Sequence, residues 1–297
     1  MRTTAGRSRI LRAHAAVFAV LITTLSSVGC ATAGPAQSGD AVTASDAPSG
    51  PSGSHSAGES FEAVRFTADD RVELSGRLWS EGRIGIVLAH GFSQYVAQDA
   101  WDAFAEHLSG LGYGVLTFDF RGFCDHDGCS EGSVELEENW RDLAPAVEYL
   151  RSRGSERIFI VAASMGGIAA FRAADEAELD LAGIVSLATP QFPSVYYSGE
   201  PADNDVTPER LQRIAAPKLF IAGADDVQLP GTAPLKPGVE SVRFAEDARA
   251  MFEASPEPRQ LEIVDSDRHS SELVIGAEPD VIEHTRELIV AFMEEHA

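Results

Sequence analysis

Val161-Ala162-Ala163-Ser164-Met165-Gly166-Gly167 is the stretch on which the reading of this 297-residue chain turns. An apolar run over 157–163 leads into a serine, and two glycines then open a small-residue segment of helical character over 165–178. A serine on a tight strand-to-helix turn presents its hydroxyl, and only small neighbours let the backbone fold that sharply. A serine ahead of a helix also reads as an N-cap with no chemistry attached. A base and an acid at compatible places elsewhere would separate the two readings.

A serine hydroxyl is a weak nucleophile at neutral pH and needs an adjacent base, itself oriented by an acid. Of the eight histidines, His14 and His55 precede the folding part of the chain, and His107, His284 and His296 fall within helical segments. His90 ends an apolar strand and His126 lies in the loop 123–130. His269 remains, in Asp265-Ser266-Asp267-Arg268-His269-Ser270-Ser271, after the last strand and before the final helix. Between serine and histidine, Gly223-Ala224-Asp225-Asp226 ends another strand with two adjacent acids. The chain order Ser164, Asp225 or Asp226, His269 meets three positional conditions at once.

The periodicities around these residues predict an α/β fold. Segments 62–67 and 72–79 alternate as an antiparallel hairpin. Apolar strands at 84–90, 113–120, 157–163, 182–188, 218–224 and 259–264 alternate with helices at 97–111, 136–153, 165–178, 242–254 and 279–295. Pro145 must kink the second helix or mark its effective start. Strand–helix alternation implies a mostly parallel sheet of about eight strands, with helices on both faces and functional groups at the carboxyl ends of the strands.

On these motifs residues 61–297 resemble the α/β-hydrolase superfamily. His90-Gly91-Phe92 is similar to its oxyanion-loop turn, Asp119-Phe120-Arg121-Gly122 to its D-x-R-G, and Ser164-Met165-Gly166-Gly167 to its nucleophile elbow. Ala162 stands where the elbow's first glycine is usual. The resemblance implies that Asp226 rather than Asp225 is the triad acid, with Ser164 as nucleophile and His269 as base. It implies an oxyanion hole made by the backbone N–H groups of Phe92 and Met165, with His90 structural. Such donors typically contribute about 3–4 kcal/mol each to the transition state. A serine at the elbow disfavours dehalogenase and epoxide-hydrolase chemistry, where relatives carry a carboxylate, and departs from dienelactone-hydrolase relatives, which carry a cysteine. About thirty residues separate the strands at 182–188 and 218–224, too few for a large cap domain. There Phe192, Tyr196 and Tyr197 read as a short lid or pocket wall, or as rings packing the loop, and Glu200, Asp203 and Asp205 as possible partners for a substrate amine. The expected function is a serine hydrolase of the carboxylesterase type, without cofactor or metal. A peptidase or amidase on the same triad is the alternative, and a non-catalytic binding lipoprotein a further one.

The N-terminus reads as an export signal over 1–30: four arginines, no acid before Asp40, and an apolar run over 15–25. Ser27-Val28-Gly29-Cys30 resembles a lipobox, which makes Cys30 a lipidation candidate, and Ala31-Thr32-Ala33 offers an ordinary cleavage site. Residues 31–58, rich in Ala, Gly, Ser and Pro, read as a tether that cannot bury enough apolar surface to fold. The domain then covers 59–297, extracytoplasmic and either lipid-anchored to the outer face of a bacterial membrane or secreted. The formal charge is −23, and loss of the signal's four arginines takes it to −27. Nucleic acid and anionic headgroups are poor partners for such a surface. A small-molecule or peptide acyl substrate is the expected partner. Either processing route leaves Cys124 and Cys129, in Phe123-Cys124-Asp125-His126-Asp127-Gly128-Cys129-Ser130, as the mature cysteines. Outside the cytoplasm such a pair is expected to oxidise, closing a ring worth roughly 2 kcal/mol; reduced thiols or a metal site are the competing readings.

Overall fold

The computed structural model describes residues 60–92, 97–126 and 128–297. The export segment with Cys30, the tether over 31–58 and Asp127 lie outside the described residues.

In chain order the elements are β1 (Glu62–Thr67), β2 (Glu73–Ser80), β3 (Ile84–Ala89), a 3-10 turn (Ala97–Trp101) and α1 (Asp102–Gly110). Then come β4 (Gly114–Phe118), a 3-10 turn (Asn139–Asp142), α2 (Leu143–Ser152), β5 (Arg157–Ala163), α3 (Met165–Glu176) and β6 (Gly183–Leu187). The third part holds α4 (Pro193–Tyr196), a 3-10 turn (Ala202–Asn204), α5 (Pro208–Arg213), β7 (Lys218–Gly223) and β8 (Val227–Gln228). Last are β9 (Val242–Arg243), α6 (Phe244–Ala254), β10 (Arg259–Val264), α7 (Glu272–Ile275) and α8 (Pro279–His296).

Eight strands form one sheet in the order β1-β2-β4-β3-β5-β6-β7-β10. The β1–β2 hairpin joins β4 antiparallel, and every later pairing is parallel. This is the architecture expected from the alternation of apolar runs and helical segments. The central strands β5, β6 and β7 are buried on both faces, as continuous apolar runs require. Leu143, Val147, Phe171 and Met251 fill the core on one face; Phe104, Leu108, Ile289 and Phe292 fill the other.

Two of the boundaries that differ from the periodicity have a local cause. The segment 136–153 is a 3-10 turn followed by α2, with Pro145 in the first helical turn, where a missing N–H breaks no intrahelical bond. The helix expected from 242 begins at Phe244, because Val242 and Arg243 pair with β8 instead.

His90 fixes the carboxyl end of β3 to that of β4. It is 1% exposed, its Nε2 accepts from the Phe120 N–H at 3.1 Å, and its Nδ1 lies 2.7 Å from the Gly91 carbonyl oxygen. Accepting at Nε2 leaves Nδ1 to donate, so the ring is neutral and saturated. Burial pushes its pKa down from 6.5 to about 4. The unfolded chain therefore binds a proton that the folded one refuses, and this stabilisation is complete above pH 6.5 and lost as pH falls towards 4. The single group should remove about 3 kcal/mol of stability over that interval. Urea unfolding of wild type and His90→Gln at several pH values checks this: the variant's pH slope should be shallower by about one proton, and equal slopes would refute it.

Candidate active site

Ser164 follows β5 at φ 49° and ψ −112°, a conformation non-glycine residues rarely adopt. Its N–H donates to the Leu187 carbonyl at 2.9 Å, which ties the turn to the end of β6. The glycines after it are there for close approach. A Cβ on Gly166 would lie 2.5 Å from the Ala89 oxygen, and one on Gly167 would lie 1.8 Å from Thr189 Oγ1.

His269 Nε2 lies 3.0 Å from Ser164 Oγ, and His269 Nδ1 lies 2.8 Å from Asp226 Oδ2. Asp225 is exposed and makes no part of this chain, so geometry separates the two adjacent acids. The parallel pairing of β7 and β10 brings acid and histidine together. Beyond the strands the loops stay zipped, with the Ala224 N–H on Val264 O at 2.8 Å and the Asp225 N–H on Ser266 O at 3.0 Å. Asp226 is 3% exposed; burial pushes its carboxyl upward, against the pull of the His269 hydrogen bond. The Phe244 ring packs 4.3 Å from the imidazole and closes one side of it.

Gly91, Phe92, Met165, Ser164 and His269 border one cavity of about 780 Å³. The carriers of both expected oxyanion N–H groups, Phe92 and Met165, thus share that cavity with the serine. Phe92 as a whole is 54% exposed. The turn following this segment is fixed by Asp119, whose Oδ1 and Oδ2 accept from the Gln98 N–H and Gln98 Nε2, each at 3.0 Å. Burial pushes the Asp119 carboxyl up to about 7. Arg121, from the same D-x-R-G, donates to Asp142 from Nε at 3.0 Å and Nη2 at 2.7 Å, and to Asp70 from Nη1 at 2.7 Å. Its role is to tie β4 to the start of α2 and to the hairpin turn.

The short segment between β6 and β7 forms a wall of the cavity, through Tyr197, Glu200 and Asn204. Tyr197 donates to Gln228 Oε1 at 2.7 Å, whereas Tyr196 turns away and donates to Asp247 Oδ1 at 2.8 Å. Arg210 holds the wall to α3, donating to the Asp203 and Asp205 carbonyls at 2.8 and 2.7 Å and to Asp175 Oδ2 at 3.1 Å. Of the three acids proposed for a substrate amine, Glu200 alone lines the cavity. Asp205 is occupied by the Ser194 N–H and hydroxyl, and Asp203 is exposed. Glu200 Oε2 accepts from Asn204 Nδ2 at 3.1 Å, and burial pushes its carboxyl up.

Cys124 and Cys129 form a disulfide. Among the described residues no group of three or more His, Cys, Asp or Glu is arranged to hold a metal ion. Sequence reasoning missed the Gln228–Pro234 part of the cavity lining and Arg77, which meets Asp99, Asp102 and Asp125 at 2.6, 2.9 and 2.8 Å. Neither carries a motif, and the arginine's partners are far from it in sequence.

A family model described as serine aminopeptidase, S33, matches residues 81–219, which include Ser164 but neither Asp226 nor His269. The quorum-quenching protein AidA of Acinetobacter baumannii (strain MDR-ZJ06) is 31% identical over 157 residues, 50% of this chain and 49% of that protein; the chain spans about half the length of this curated relative. The fold is similar to the Pyrococcus furiosus esterase Pf2001, with a TM-score of 0.61 at 20% identity, covering 80% of this chain and 92% of that one. It is also similar to the esterase domain of a Rhodothermus marinus protein, with a TM-score of 0.58 at 16% identity over 80% and 98%. By the strand order of its sheet and its likeness to these solved structures the chain has the α/β-hydrolase fold, and the family model matches its centre.

Proposed function

We propose that the chain is an exported serine hydrolase that cleaves acyl esters through an acyl-serine intermediate on Ser164. The observation that carries this reading is the Ser164–His269–Asp226 hydrogen-bond chain opening into a mostly apolar cavity. His269 Nε2 takes the Ser164 proton as Oγ attacks the ester carbonyl, while Asp226 holds the Nδ1–H tautomer and stabilises the imidazolium. The Met165 and Phe92 N–H groups receive the oxygen as it becomes negative. The same proton then passes to the leaving alcohol, and water activated by His269 releases the acid and restores Ser164.

Export rests on the arginine-rich, apolar N-terminus and is supported by the Cys124–Cys129 bridge, a linkage that persists in oxidising compartments. Lipid attachment at Cys30 would hold the domain at the outer face of the membrane.

A second reading, amide or peptide hydrolysis on the same triad, is favoured by Glu200. A half-buried carboxylate in a mostly apolar cavity offers a partner to a substrate ammonium group.

A fluorophosphonate probe should label the native wild type and not Ser164→Ala, whose turnover should fall by at least about 10⁴-fold. A folded wild type that takes no label would overturn the proposal. Assays of p-nitrophenyl esters beside aminoacyl-anilides distinguish the two readings. On the amine reading, Glu200→Gln lowers kcat/KM for ammonium-bearing substrates at least about tenfold and leaves neutral esters within about twofold. Uniform change across the panel would remove Glu200 from recognition. Cys30→Ser should move the protein from the membrane fraction to the soluble one; an unchanged distribution would exclude the anchor.

A further inference from the structure

We propose that the disulfide-closed loop 123–130 is a positioning element for the oxyanion turn, holding Phe92 through Phe123 and, through Asp125 and Arg77, the 3-10 turn that follows it. The proposal rests on the serine-hydrolase reading, because Phe92 matters as an N–H donor only there.

The two described ends of the oxyanion segment are His90–Phe92, after β3, and the Ala97–Trp101 turn. The loop reaches both of these ends. At the first, the Phe123 ring, 3% exposed, stands edge-on to His90 at 5.0 Å and to Phe92 at 5.7 Å between centroids. At the second, Asp125, with 0% side-chain exposure, lies 2.8 Å from Arg77 Nη2, and that nitrogen lies 2.6 Å from Asp99 Oδ1 inside the 3-10 turn. Arg77 Nη1 adds Asp102 at 2.9 Å, at the start of α1. His126 Nδ1 bonds the other oxygen of Asp99, so the loop touches this turn directly as well.

These contacts require the loop to hold one shape. Within the loop the Asp125 N–H donates to Gly128 O at 2.9 Å, the Gly128 N–H to Asp125 Oδ1 at 2.8 Å and the Ser130 N–H to Phe123 O at 3.0 Å. The Cys124–Cys129 bond closes the ring around them. Opening it frees Asp125 from its fixed position against Arg77 and loosens Phe123 under Phe92. The triad is carried by β5, β7 and β10, which the loop does not support. Loss of the loop should therefore weaken transition-state stabilisation and leave the nucleophile and ground-state binding in place. Phe123, Asp125 and Arg77 are positioning residues and touch no reacting atom.

The test compares the oxidised wild type with Cys124→Ser/Cys129→Ser and, bridge intact, with Asp125→Asn, after thermal melting shows each to be folded. With p-nitrophenyl esters, kcat should fall roughly tenfold or more in the double variant and by a smaller factor in Asp125→Asn, with KM within about twofold. That is part of the roughly 10²–10³-fold cost of losing an oxyanion donor outright. Affinity for an arylboronic acid, which forms a tetrahedral adduct on the serine, should fall in parallel with kcat. Unchanged kcat in the folded variants, or raised KM at constant kcat, would overturn the proposal. If the double variant does not fold, Asp125→Asn decides alone, and unaltered kcat there refutes the coupling. A wild type that neither turns over esters nor takes the fluorophosphonate label fails at the serine-hydrolase reading itself, and the loop's role falls with it.

Discussion

The backbone at Ser164 is the constraint on which the rest of the site depends. A non-glycine residue in that conformation costs of order 1–3 kcal/mol and persists only where its surroundings over-determine it. Here they do: β6 takes the Ser164 N–H, β3 lies against Gly166, and Thr189 lies against Gly167. Three neighbouring strands of the sheet therefore converge on one turn. The two glycines are demanded by contact, while Ala162, one residue before the end of β5, is fully buried in the strand and shows that the pattern tolerates a methyl there.

Charge in this protein is put to structural use around the site. Arg121 and Arg77 are each about 3% exposed, and each gathers carboxylates from separate parts of the chain. Removing one partner of such a buried arrangement is costly because it leaves the other uncompensated. These arginines act as joints between the hairpin, the 3-10 turns and the loop after β4. Asp119 serves the same end without a cation, by accepting two hydrogen bonds from one glutamine. The acidic exterior is a separate matter, spread over exposed side chains.

Much of the fold was legible because β3, β5, β6 and β7 are continuous apolar runs, and the strand-to-helix turn at Ser164 announces itself through its glycines. The acid and the histidine could be located to strand-end loops by order alone, whereas the choice between the adjacent Asp225 and Asp226 needed the family resemblance, and their facing in space agrees with it. The cavity wall was less accessible. Glu200, Tyr197 and Gln228 come from short irregular segments with no period, and their meeting is a product of tertiary packing. Arg77 sits in a strand pattern that reads as ordinary, because nothing in the spacing of Asp99, Asp102 and Asp125 points back to it.

The catalytic candidates do not share one mechanical support. Ser164 leaves β5 near the middle of the sheet, flanked on both sides, whereas His269 follows β10, which among the described strands is an edge strand paired only with β7 and only partly buried over most of its length. Local opening free energies are lowest where a strand has one neighbour and its hydrogen bonds are near solvent. The imidazole's tether should thus open at a lower free-energy cost than the centre of the sheet. Warming should therefore loosen the Ser164–His269 hydrogen bond before the circular dichroism signal of the sheet falls.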